Sequence, residues 1–137
     1  MQRTLALIKP DATAAGHQGA IIARIQESGL RVLALKTLHL TKSQAEGFYH
    51  VHKERPFFGD LVTFMTEGKI VAMALEGDDA IKRWRDLMGP TDATKAAKGT
   101  IRGDFGTSIE RNASHGSDAE DTAAFEVAYF FGGLELV

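Results

Sequence analysis

Apolar and polar residues recur along this chain with periods that switch at glycines and prolines, and those switches mark its elements. Thr4 to Ile8 is short, β-prone and apolar, and Pro10, which has no amide hydrogen to give a ladder, ends it. From Gly19 to Ser28, Ile21, Ile22 and Ile25 recur at helical spacing with Arg24, Gln26 and Glu27 between them, and Gly29 stands where a C-terminal cap belongs. Arg31 to Leu40 alternates irregularly, as suits a strand covered on much of both faces. Thr41-Lys42-Ser43-Gln44 has the Thr-x-x-Gln form of a capping box and predicts a short helix through Tyr49. A second short helix is predicted from Phe57 to Thr66, just after Pro56, and a buried strand from Lys69 to Leu75, ended by Glu76-Gly77-Asp78. Asp78 or Asp79 can cap the helix that carries Ile81, Trp84, Leu87 and Met88.

Beyond Gly89-Pro90, the stretch to Gly116 is rich in Gly, Thr, Asp and Lys and shows little periodicity. It is longer than loops usually run in a compact domain, so it is either functional or hides further elements. Ser117-Asp118-Ala119-Glu120 has the Ser-x-x-Glu capping form, which predicts a helix from Ser117 to Ala124 and puts His115 at a helix entrance, where anions bind. An apolar strand from Phe125 to Phe131 closes the series before Gly132-Gly133. The order β-α-β-α-α-β-α-α-β is a β-α-β-β-α-β framework with extra helices, compatible with an α+β, ferredoxin-like antiparallel sheet.

Composition narrows the classes of function. At 137 residues the chain is a single domain, 1–137, large enough to bury roughly two thirds of its unfolded surface. A net charge of −2 offers no global field for nucleic acid or an anionic membrane, so neither is expected as a partner. The absence of cysteine excludes disulfides, thiolate metal sites and thiol catalysis. Met1-Gln2-Arg3-Thr4 leads straight into a strand-like run, so no signal peptide or membrane helix is expected and a cytoplasmic protein is the plain reading.

The densest chemistry lies in Asn112-Ala113-Ser114-His115-Gly116-Ser117-Asp118, which packs an imidazole, hydroxyls, a carboxamide and a carboxylate into one short run. With Leu7-Ile8-Lys9-Pro10-Asp11-Ala12, Lys53-Glu54-Arg55-Pro56-Phe57-Phe58 and Gly99-Thr100-Ile101-Arg102-Gly103-Asp104-Phe105, this run resembles the signature motifs of the nucleoside diphosphate kinases, in family order over nearly the whole chain. The resemblance implies the ferredoxin-like fold and an enzyme that moves the γ-phosphoryl group of a nucleoside triphosphate to a nucleoside diphosphate. The expected mechanism is ping-pong, through a phosphohistidine on His115. Free imidazole has a pKa near ~6.5, so a lone pair is available at neutral pH without a separate base.

The family also implies supporting roles. Glu126 and Ser117 would orient the imidazole, and Lys9, Arg85 and Arg102, with the hydroxyls of Tyr49 and Thr91, would neutralise the phosphates, as phosphoryl transfer requires. Arg55 would approach the phosphates too. Asn112 is expected with Lys9 at the sugar, Phe57 as the platform for the base, and Leu61 and Ile109 at its other face or edge. Stacking of that kind ignores base edges and implies low base selectivity. Mg²⁺ is the implied cofactor, carried by the nucleotide, with Asp118 facing it through water. A homo-oligomer is expected, a tetramer or hexamer built from dimers, with its size left open.

Other chemistries fit less well. His50-x-His52 has the look of a ligand pair, but residues two apart on a helix project to different sides and no third ligand is near in sequence. His115, Ser117 and Asp118 are too close along the chain for a Ser-His-Asp triad, whose members meet from separate segments. A P-loop is absent, since Gly68-Lys69-Ile70 does not supply its pattern. A non-catalytic nucleotide-binding oligomer of the same fold would have no chemical need for His115, and a nucleic-acid module would need a basic, aromatic sheet face. The sequence departs from the family at Thr91-Asp92-Ala93, where Thr-Asn-Pro is common, which leaves the loop less constrained and adds a negative charge near the phosphate site. Gly132-Gly133 is likewise looser than the usual C-terminal segment.

Overall fold

The computed structural model describes residues 1–137. Strand β1 (Gln2–Ile8) is followed by helices α1 (Pro10–Ala14) and α2 (Gln18–Glu27), strand β2 (Arg31–Leu38), helices α3 (Lys42–Phe48) and α4 (Phe58–Thr66) and strand β3 (Ile70–Gly77). Helices α5 (Ala80–Met88) and α6 (Ile101–Phe105), strand β4 (Ser114–Gly116) and helix α7 (Glu120–Phe130) complete the chain, with 3₁₀ turns at His50–His52, Ala93–Lys95 and Gly133–Glu135. The sheet order is β2-β3-β1-β4, and every neighbouring pair is antiparallel. This is the α+β, ferredoxin-like arrangement expected from the element pattern.

The two interior strands are apolar on both faces because helices cover both. Leu5 and Leu7 of β1 and Ala72 and Ala74 of β3 join a core with Phe48, Met65 and Phe130 from α3, α4 and α7. Ala6, Ile8, Val71, Met73 and Leu75 point the other way, toward Ile21 and Ile25 of α2 and Trp84 and Met88 of α5. Strands buried on both sides show continuous apolar runs instead of clean alternation. The Thr41 cap forms as expected, with Thr41 Oγ1 accepting from Gln44 N and Gln44 Oε1 from Thr41 N. Gly29 ends α2 with φ 88°, a conformation that costs glycine little.

The C-terminal third differs from expectation. The predicted strand Phe125–Phe131 does not exist: one helix, α7, runs through it, burying Ala123, Val127 and Phe130 at helical spacing. Phe125 and Tyr129, one turn apart on the outer face, made the segment read as uniformly apolar, and they pack on each other and on rings of the α3 region. The fourth strand is instead the three-residue β4, too short for a periodic signal. His115 therefore lies within a strand and not at a helix entrance, and Ser117 does not cap a helix; Thr122 Oγ1 accepts from Ala119 N at the start of α7. Asp79 stands at the start of α5 without a side-chain cap, where Gln2 Oε1 accepts from Ile81 N. The long loop holds the 3₁₀ turn at Ala93–Lys95, α6 and β4.

The strand β4 lies directly against α5. A Cβ added at Gly116 would sit 2.6 Å from both Met88 Cε and Trp84 Cδ1. Gly116→Ala is therefore expected to destabilise the fold by roughly 1–3 kcal/mol through overpacking. A lower denaturant midpoint at unchanged m-value is the measurement that checks it.

Candidate active site

A three-residue strand needs outside help to hold a reactive side chain, and β4 receives it from four elements. Leu7 of β1 stands opposite His115 in the sheet. Trp84 Nε1 of α5 donates to the His115 carbonyl at 3.0 Å, and Arg102 Nη2 of α6 donates to the Ser114 carbonyl at 2.9 Å. From α7, Glu126 Oε1 lies 2.7 Å from His115 Nε2 and accepts from Ser117 Oγ at 3.0 Å, while Ser117 Oγ itself accepts from Leu5 N at 3.2 Å. A carboxylate only accepts, so Nε2 carries the hydrogen and Nδ1 keeps its lone pair. Nδ1 makes no hydrogen bond in the protein and is not buried. The rings of Phe48 and Tyr49 close on the imidazole edge-on, with centroids at 5.4 and 6.2 Å.

Positive charge is crowded in front of this imidazole. Lys9, at the end of β1, is buried and its Nζ donates to Asn112 Oδ1 at 2.8 Å. Burial first and then the charge of Arg102 lower its pKa to about 8, against an opposing pull from Asp11. Arg102 is 7 % exposed, donates to the carbonyls of Gly89 and Ser114, and leaves Nε buried without a partner. Burial and then the neighbouring Arg85 lower it to about 10. Arg85 is exposed and paired with Asp118 at 2.6 Å. The Tyr49 hydroxyl is buried and unpartnered, and burial followed by the Glu126 charge raises its pKa, so it stays a neutral donor. These groups, with Thr91 and His115, line a cavity of about 190 Å³. Cations that depress one another's proton affinity favour a polyanionic ligand.

A second cavity of about 450 Å³ adjoins it, sharing Lys9, Phe57, Leu61, Thr91 and Asn112. Phe57 and Ile109 are large apolar side chains left 47 % and 53 % exposed, and both line this cleft. Exposed apolar side chains of this kind suit the flat face of an aromatic ring, and the cleft adjoins the cavity that His115 lines. Asn112, 2 % exposed, stands at the junction; its Nδ2 donates to the carbonyls of Thr91 and Ile109.

Of the residues singled out in the sequence, the structure thus brings together Lys9, Tyr49, Phe57, Leu61, Arg85, Thr91, Arg102, Ile109, Asn112, His115 and Asp118 as cavity lining, with Ser117 and Glu126 behind the imidazole. Glu126 arrives from a helix, not the strand expected. Arg55 is exposed and lines neither cavity. Sequence reasoning misses His52, which lines the smaller cavity beside His115 and stands in the sequence only as half of a ligand-like His pair. It also misses Trp84, visible in the sequence only as a core residue of its helix. Asp92 does not face the cations: its Oδ1 accepts from Thr94 N at 3.0 Å and Thr94 Oγ1 at 2.6 Å, and these bonds hold its pKa below the usual carboxylate value. A wider depression of about 570 Å³ between the start of β1 and α7 carries no comparable cluster.

Comparison with known proteins agrees with this geometry. A family model described as nucleoside diphosphate kinase matches residues 2–136. The chain is 61 % identical over 137 residues to a nucleoside diphosphate kinase of Syntrophotalea carbinolica, covering 100 % of both chains. It is 59 % identical over 135 residues to one of Oleidesulfovibrio alaskensis, covering 98 % of this chain and 97 % of that one. Among solved structures it is similar to the Aquifex aeolicus nucleoside diphosphate kinase, with a TM-score of 0.97, 47 % identity and 99 % of each chain covered. It is also similar to the halophilic enzyme of Halobacterium salinarum in complex with CDP, with a TM-score of 0.95, 43 % identity, and 99 % of this chain and 91 % of that one covered. The likeness in sequence and in backbone runs from end to end, and the chain belongs to the nucleoside diphosphate kinase family.

Proposed function

We propose that His115 is the residue on which this kinase carries the phosphoryl group, with Nδ1 as the attacking atom. As a nucleoside diphosphate kinase, the chain transfers the γ-phosphoryl group of a nucleoside triphosphate to a nucleoside diphosphate in two half-reactions through a phosphohistidine. The observation that carries the assignment is the contact of His115 Nε2 with Glu126, which leaves the other ring nitrogen free beside the cations. In the first half-reaction the Nδ1 lone pair bonds to the γ-phosphorus, the bond to the bridging oxygen breaks, and the diphosphate leaves with that electron pair. Glu126 balances the positive charge that develops on the ring, and Ser117 holds Glu126 in line. The second half-reaction reverses these steps onto another diphosphate.

Lys9, Arg85, Arg102, Tyr49 and Thr91 would meet the phosphate oxygens, Asn112 and Lys9 the sugar, and Phe57, Leu61 and Ile109 the base. Contacts to the flat faces of a ring discriminate little between bases. Family members work with a divalent cation, here taken as Mg²⁺. Residues of this chain form no group of three His, Asp or Glu that could hold a metal, and Asp118 stands alone at the cavity beside Arg85. That donor set suits an ion held by the nucleotide phosphates, with Asp118 reaching it through water, where it would neutralise oxygen charge. No helix is long and apolar enough to cross a membrane, and the proposed setting is the cytoplasm. A homo-oligomer, tetramer or hexamer, built from dimers accords with β2, whose outer edge pairs with no other strand of the chain.

Purified protein exposed to γ-labelled ATP is expected to take up acid-labile, alkali-stable label that a nucleoside diphosphate discharges. His115→Ala should take up none; label retained by that variant would place the carrier elsewhere. The charge of Lys9 sets the alkaline limit: protonated below about pH 8, it loses its charge as pH rises. The free-enzyme profile of kcat/KM is therefore expected to fall above about pH 8, by roughly 10- to 100-fold in all if one charge-assisted bond is lost. Lys9→Gln should be low at every pH with this limb absent, and a limb unchanged in Lys9→Gln would assign it to another group.

A further inference from the structure

The turn that delivers the chain into β4 is strained. Ala113 is fully buried with φ 72°, in the left-handed region that alanine rarely adopts, and Ser114 N donates to Asn112 O at 2.9 Å across it, closing a γ-turn of the positive-φ type. Such a turn persists only where its surroundings over-determine it. Both polar atoms of Ala113 are taken up by the segment that follows β1: its N–H donates to Asp11 Oδ2 at 3.0 Å, and its carbonyl accepts from Lys9 N at 2.8 Å. The other carboxylate oxygen of Asp11 is buried without a partner, an arrangement whose desolvation cost calls for an offsetting role. The two sides of the turn lead to different parts of the site. On the N-terminal side Asn112 is tied independently to Lys9, Thr91 and Ile109, whereas on the C-terminal side the chain enters directly into the three-residue strand that bears His115.

We propose that Asp11 is a positioning residue for phosphoryl transfer, its carboxylate holding the Ala113 turn in its strained shape so that β4 presents His115 in register with the cations. This rests on the assignment of His115 as the phosphoryl carrier. Asp11 touches no substrate; it acts through the Ala113 amide. Because the turn leads directly into the strand that bears His115, while Asn112 keeps its own bonds to Thr91 and Ile109, the defect belongs in the chemical step more than in nucleotide binding. Relaxing the turn itself should make the brace less necessary, since glycine takes this conformation without a Cβ penalty.

The test is single-turnover phosphorylation of the full-length protein by γ-labelled ATP, read as a first-order rate constant, which does not depend on the fraction of molecules folded. Asp11→Ala is expected to lower that constant roughly 10- to 100-fold with KM within about threefold of wild type, as a displaced reacting group does. Asp11→Asn, whose carboxamide oxygen can still accept from the Ala113 amide, should recover most of the loss, and Asp11→Ala combined with Ala113→Gly should react faster than Asp11→Ala alone. If Asp11→Ala gives no folded protein, Asp11→Ser, too short to reach the amide, stands in for it with the same expectations. A wild-type rate constant in Asp11→Ala, or a defect that neither Asp11→Asn nor Ala113→Gly relieves, would overturn the proposal. Wild-type protein that takes no label at all would instead refute the carrier assignment.

Discussion

The imidazole of His115 is only as well placed as the backbone of a strand three residues long. No ladder of that length holds itself, so placement is delegated to every layer of the molecule: β1 supplies the register, Trp84 and Arg102 hold the carbonyls of His115 and Ser114, and α7 supplies the carboxylate that fixes the ring. The glycine at 116 is a condition of this arrangement, because only a missing side chain lets the strand approach Trp84 and Met88. Catalytic order and the two apolar cores are in this sense one structure, since the helices that bury the sheet are the same helices that reach over its edge to the reactive residue.

The second constraint is electrostatic and runs against stability. Lys9 and Arg102 are both buried, and Arg102 weakens the hold of Lys9 on its proton as Arg85 weakens that of Arg102, which is unfavourable in the protein by itself. Part of that cost is offset by directing the guanidinium of Arg102 onto the carbonyls of Gly89 and Ser114 and the ammonium of Lys9 onto Asn112. In the proposed reaction, charges preset in this way need no reorganisation when a polyphosphate arrives, which lowers the barrier to transfer. Arg102 consequently ties the loop from α5 to β4 while it lines the cavity beside His115, so fold and site share a single side chain.

Much of this was legible in the sequence, and the parts that were not share a cause. Helix α2 announces itself through local periodicity, the Thr41 cap through its Thr-x-x-Gln spacing and the interior strands through short apolar runs, and the motifs around Lys9, Arg102 and His115 identify the chemistry. What escaped depends on contacts remote in sequence. Ser117 carries the form of a helix cap but is drawn inward by Leu5 and Glu126, and the second half of α7 looks like a strand because its outer face is apolar for tertiary reasons. Trp84 reads as core, which it is, yet its indole nitrogen also serves the backbone of His115. Asp11 sits beside Lys9 in a recognisable motif, but its bond to Ala113 spans 102 positions, and no local pattern encodes a separation of that kind.

With alanine at position 93, where the family commonly has proline, Asp92 supplies a different kind of constraint to the loop after α5. A proline restricts the chain before it folds and thereby lowers the entropy of the disordered ensemble, whereas the bonds from Thr94 to Asp92 exist only once the turn has formed. Order in this loop is therefore acquired during folding and not inherited by the unfolded chain. Heating, which disfavours enthalpically held turns more than covalently restricted ones, should loosen this segment ahead of the sheet, so the stability of this loop depends on bonds that only the folded chain possesses.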